Sequence, residues 1–177
     1  MILIETDAGP EAAAPIDAFE RYFAAQGWDV ARHGDEEIAA TVAGAWGGYE
    51  LRALWRADDG VLQLIALTGL AAGDAADRSA LYEAIGRVNE QLWLGHFELW
   101  SADGSVVFRH AVVMGEPGRG EDAEDEAALS LAQAETLAEA ALDECDRYWP
   151  VFDFVLRGDH TPSEALAAAM TDVQGEA

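Results

Sequence analysis

Four histidines, one cysteine and a large surplus of carboxylates are the residues with which this chain could do chemistry. A zinc site needs three or four His, Cys or carboxylate ligands brought together, and helical sites announce themselves by spacings such as i, i+4. His33, His96, His110 and His160 are scattered, and no two stand four apart. His96 and His110 lie on stretches expected to pair as a hairpin, where two histidines make a surface or half-buried pair more often than a metal site. Cys145 has no second cysteine for a disulfide. Its neighbours Glu144 and Asp146 raise a thiol pKa, which argues against a nucleophile. The acidic run Glu121-Asp122-Ala123-Glu124-Asp125-Glu126 lacks the alternating ligands and central glycine of a calcium loop. It suits instead the N-terminal approach to a helix. There is no Gly-x-Ser-x-Gly elbow, and the glycine-rich stretch 44–48 joins strand to strand without a phosphate-binding lysine. No catalytic, metal or cofactor residues are assigned, and the expectation is a non-enzyme.

Aromatic residues are the other candidates. Six tryptophans are many for 177 residues. Trp55 and Trp93 fit core positions. Trp46, in a glycine-rich turn, and Trp100, opposite Phe97 and Leu99 by strand parity, are expected to be exposed and are the candidate partner-binding aromatics. The plain structural alternative for both is packing under a helix or tail.

The elements that position these residues follow from periodicity. Residues 1–14 form an acidic lead-in. From Pro15, residues Ile16, Phe19, Tyr22 and Phe23 recur at helical spacing until Gly27. The period then drops to two. Strands are expected at 28–32, 37–43, 49–56 and 61–67, with turns at His33-Gly34-Asp35 and Asp58-Asp59-Gly60. The last of the four is apolar at nearly every position, as suits a strand covered on both faces. Leu81, Ile85, Val88 and Leu92 mark a second helix, with Gly95 as its stop. Strands at 97–101 and 106–114 follow. A long helical face runs from Leu129 to Phe152, with a break or kink expected at Pro150. Thr161-Pro162-Ser163-Glu164 is a capping box for a last short helix, and 172–177 is a polar tail. Strands in runs, in the order α-ββββ-α-ββ-α(α)-α, argue for one α+β domain over 15–171, an antiparallel β-sheet packed with helices.

Charge narrows the partners. Half the chain is apolar (51%), enough for a sizeable core. There are 34 acidic against 10 basic residues, a formal charge of -24, and every basic residue is arginine. Such a field repels nucleic acid and anionic membrane surfaces and leaves basic proteins or cations as partners. Solubility alone also accounts for it. No segment reaches the roughly 20 apolar residues needed to span a bilayer, and the N-terminus has no basic region of a secretory signal, so a cytoplasmic location is expected.

Four stretches together resemble the YbjN family of bacterial sensory transduction regulators. They are Val88-Asn89 closing into Gly95-His96-Phe97, the strand Val107-Phe108-Arg109, the helix end Asp146-Arg147-Tyr148-Trp149-Pro150, and the turn Thr161-Pro162-Ser163-Glu164-Ala165. Trp149 departs mildly from the Tyr or Phe more usual there, and the acidic loop at 115–128 looks locally variable. The resemblance implies a type III secretion chaperone-like fold, a homodimer and a basic or exported protein partner, with no active site to carry over. Asn89 would satisfy a strand or loop backbone group, Gly95 would cap a helix, and Arg109 would pair with an acidic helix residue. The alternative function is a small-ligand sensor with a pocket between sheet and helices, lined by residues such as Trp55 and Phe108.

Overall fold

The computed structural model describes residues 14–73, 78–114 and 129–172. The acidic run at 121–126, the lead-in at 1–13 and the tail beyond 172 lie outside them.

Helix α1, Pro15–Gln26, begins with Pro at its first turn, and Gly27 closes it in the left-handed region at φ 71°. Its buried stripe is the expected one: Ile16, Phe19, Tyr22 and Phe23. Strands β1 (Asp29–His33), β2 (Glu37–Ala43), β3 (Gly48–Arg56) and β4 (Val61–Ala71) follow as a meander. Helix α2 (Ser79–Asn89) leads to β5 (His96–Leu99) and β6 (Ser105–Val113), and helices α3 (Leu131–Arg157) and α4 (Pro162–Asp172) complete the described chain. All strand pairs are antiparallel, in the order β1-β2-β3-β4-β6-β5. The expected α+β order is therefore realised.

One face of the sheet packs on the helices. Alternate residues Ile38, Leu51, Leu64, Phe97 and Phe108 bury there with Phe19, Leu81, Tyr148 and Phe152 from the helices. Fully buried Ala134, Ala138 and Ala141 let α3 lie close to its neighbours. Emptying one such large aromatic position would cost about 3–5 kcal/mol. On the other face Ile65 and Val107 are buried too. In register, Ile65 sits between Arg52 and Arg109 on that face.

Three local expectations are corrected. First, α3 does not break at Pro150 but continues through it as one 27-residue helix. The buried stripe Cys145, Tyr148, Val151, Phe152 holds it there, and packing of that extent outweighs the roughly 3 kcal/mol intrinsic cost of an interior proline. Second, α2 stops at Asn89, well before Gly95. Asn89 uses its whole side-chain amide on Phe97, donating from Nδ2 to the carbonyl (3.0 Å) and accepting from the N–H (2.7 Å). The strand-satisfying role expected of Asn89 is thus present. Gly95 instead precedes β5 at φ 67°, where a Cβ would meet the Phe108 ring and the Arg109 carbonyl. Third, Trp93 is not core. It stands 98% exposed beyond the end of α2, because the shortened helix no longer carries its position towards the sheet. Leu92 is only partly buried, for the same reason.

The capping box at α4 forms as read. Glu164 Oε2 accepts from the Thr161 N–H at 2.9 Å, and Thr161 Oγ1 accepts from the Glu164 N–H at 3.4 Å.

Candidate partner-binding surface

The β2–β3 connection carries Trp46 onto α3. Pro150 has no N–H, so the Asp146 carbonyl four residues earlier loses its helical donor. Trp46 supplies the substitute: its Nε1–H donates to that carbonyl at 2.8 Å. The Asp146 carboxylate holds the same loop from the other side. Its Oδ1 accepts from the Ala45 N–H at 2.8 Å and from the Tyr49 hydroxyl at 2.6 Å. Burial, reinforced by that hydrogen bond to Asp146, holds the Tyr49 phenol well above its ordinary pKa, so it remains the donor. Gly44 is required for the approach, since a Cβ there would meet the Tyr49 ring and the Asp146 carboxylate. The Trp46 ring lies nearly parallel to Trp149 (7°, centroids 6.0 Å), and Trp149 Nε1 donates to the Thr68 carbonyl at 3.3 Å. Trp46 still leaves 55% of its surface to solvent. It is at once a latch and an exposed aromatic.

Trp100 differs. It is half-buried, and its indole N–H donates to Glu98 Oε1 at 2.7 Å. Glu98 also takes the Arg109 guanidinium at 2.7 Å, so Arg109 pairs along the sheet and not with a helix as expected. His96 stands beside the same carboxylate at 3.7 Å. His110 is on the opposite face of β6 from Arg109, and burial followed by the neighbouring His96 lowers its pKa. The two histidines are close but do not converge. Among the described residues, no group of three or more His, Cys, Asp or Glu could hold a metal.

Cys145 is completely buried, and burial, then Asp146 and Glu144, push its thiol far above the range of a reactive nucleophile. Phe108 is buried in the core against Phe97, with ring centroids 5.3 Å apart. Trp55 instead lines a hollow of about 400 Å³ with His33, Leu54 and Gln63. The two aromatics expected to share a pocket are therefore separated.

The face of the sheet away from the helices was not singled out by sequence. Over β1–β3 it forms a groove of about 490 Å³, floored by Ala31 and Ala39 and edged by Asp29, Glu37 and Glu50. Arg52 is its one arginine among the described residues, ion-paired to Glu50 and, at 3.6 Å, to Glu37. The small floor residues are visible in the sequence, but nothing there marks them as a groove until the register is known. Asp146 was equally missed as a hub. The signal was present: a proline four residues later, and a tryptophan in a glycine-rich turn.

Among the described residues, six antiparallel strands and four helices packed in this way make a type III secretion chaperone-like fold. Among solved structures, "Crystal Structure of the ExsC-ExsE Complex" contains a chain that matches with a TM-score of 0.50 at 16% identity, over 75% of this chain and 88% of that one. The chain belongs to the YbjN family, described as "Putative bacterial sensory transduction regulator", whose model matches residues 15–154. No curated protein matches it. No helix among the described residues is long and apolar enough to cross a membrane.

Proposed function

We propose that this protein is a non-enzymatic, chaperone-like regulator that binds another protein, in bacterial signalling or stress response. It acts as a homodimer in the cytoplasm through a single domain over 15–171, and its partner is a basic or exported protein. The observation that carries this reading is the fold likeness, over 75% of the chain, to a protein solved as a complex. The formal charge of -24 supports a basic partner and works against nucleic acid. The solvent-facing part of Trp46 and the half-buried Trp100 are the aromatics proposed to meet it.

The test is affinity purification of the tagged chain from its host, with light scattering on the eluted species. A stoichiometric protein partner on two copies of the chain is the expected result. A monomer that elutes alone from repeated preparations would remove the reading. A small-ligand sensor would then gain, with the hollow beside Trp55 as its site, and a metabolite thermal-shift screen would test it.

A further inference from the structure

We propose that the helix-free face of the sheet over β1–β3 seats an extended segment of the partner that carries arginine or lysine. This rests on the protein-binding reading above and says where and by what chemistry the partner is held.

The groove is shaped for a long side chain on a flat bed. Ala31 pairs with Ala39 and Ala39 with Arg52, so two methyl groups in register form a trough across β1 and β2 towards β3. An arginine or lysine stem can lie over them, its apolar carbons on the methyls. Its charged head then reaches the carboxylates of Glu37 and Glu50, with Asp29 on the near rim. Three carboxylates face one guanidinium there, and Arg52 neutralises only part of them.

The occupant is an extended chain because the groove runs along the edge of the sheet. Strand β1 pairs with β2 on one side and with no strand on the other among the described residues. A segment laid against it continues the sheet and sends alternate side chains to the groove side. Five residues of β1 offer a docking length of about 17 Å at about 3.4 Å per residue. A second copy of this chain fits poorly, because it brings the same acidic rim and a formal charge of -24 to the contact. Anionic surfaces are repelled for the same reason.

The experiment measures anisotropy of a labelled octapeptide alternating arginine and threonine, and of its glutamate counterpart, against the full chain. The expected result is binding of the arginine peptide alone. The pair Glu37→Gln with Glu50→Gln should weaken it at least tenfold. Ala39→Arg, which fills the trough, should do the same while leaving the thermal midpoint within a few degrees. The pair Glu83→Gln with Glu90→Gln removes the same charge from α2 and the residue that follows it, distant in sequence and away from the β1–β3 strands, and should change affinity less than twofold. Equal weakening by both glutamine pairs would mean diffuse attraction to an acidic protein and would overturn the proposal. So would a dimer that Ala39→Arg splits without peptide, since the face would then belong to a second copy. If a purified partner complex survives Ala39→Arg, this site is wrong while the protein-binding reading stands. If no partner complex forms at all, that reading falls and takes this one with it.

Discussion

Trp46 donates its indole N–H to the main-chain carbonyl of Asp146, and it is Pro150 that makes this carbonyl available. A residue in a loop between two strands thereby completes the hydrogen bonding of a helix about 100 residues later. The arrangement joins the one glycine-rich loop of the meander to the longest helix and fixes the exposed Trp46 ring against Trp149.

Replacing Trp46 by Phe keeps a ring for the stack but removes the donor. It should cost about 1 kcal/mol, the usual net value of one hydrogen bond. In a Pro150→Ala background, the new Ala N–H can serve the Asp146 carbonyl, and the same change should cost only a few tenths. Urea unfolding of the four proteins in this cycle measures the coupling, expected at about 0.5–1 kcal/mol. Additive costs would contradict the link.

Asp146 accepts through its carboxylate as well as its carbonyl. Asp146→Ala strands the buried Tyr49 hydroxyl and the Ala45 N–H together, and a loss of about 2–4 kcal/mol is expected. Asp146→Asn keeps an acceptor oxygen and should lose less than half as much. Comparing the two denaturation midpoints with wild type checks it.

Much of this architecture was legible from residues alone, and the reasons differ by element. The α1 stripe and the Thr161–Glu164 capping box are local patterns, and local physics decides them. The strands of the meander follow from period two and from the turns at Gly34 and Gly60, both at positive φ. What failed was decided by distant partners. Pro150 breaks an isolated helix, yet buried side chains around it keep this one continuous. Gly95 resembles a helix stop, yet Asn89 ends α2 earlier by bonding Phe97, which leaves Trp93 in solvent. The groove over Ala31 and Ala39 was invisible because only strand register puts the two methyls side by side.

Gly95 and Gly158 separate backbone strain from steric clash. Both sit at positive φ, but a Cβ at Gly158 meets nothing within 4 Å among the described residues, whereas one at Gly95 meets Phe108 and Arg109. Gly158→Ala should cost about 1–2 kcal/mol from the left-handed conformation alone. Gly95→Ala should cost at least about 2 kcal/mol more, since a packed core yields poorly to an inserted methyl. Thermal unfolding of the two variants provides the comparison.

Glu144 presents a pH-dependent case. Its Oε2 is buried without a hydrogen-bond partner among the described residues, and burial raises its pKa despite the opposing Arg147. A raised carboxyl pKa means the folded state holds the proton more tightly than the unfolded one. The ionised group therefore contributes no penalty below the unfolded pKa and its full penalty above the folded pKa. Glu144→Gln should raise the thermal midpoint at pH 7, and the advantage should vanish as pH falls below about 4. A constant difference across that range would contradict the assignment.

The central claim is that this fold holds another protein, and native mass spectrometry of the chain purified from its host tests it most directly. The expected mass is that of two copies of the 177-residue chain plus one or more copies of a defined basic polypeptide. That polypeptide should dissociate as salt is raised. A spectrum showing only the single chain, at cellular and at raised concentration, would contradict it.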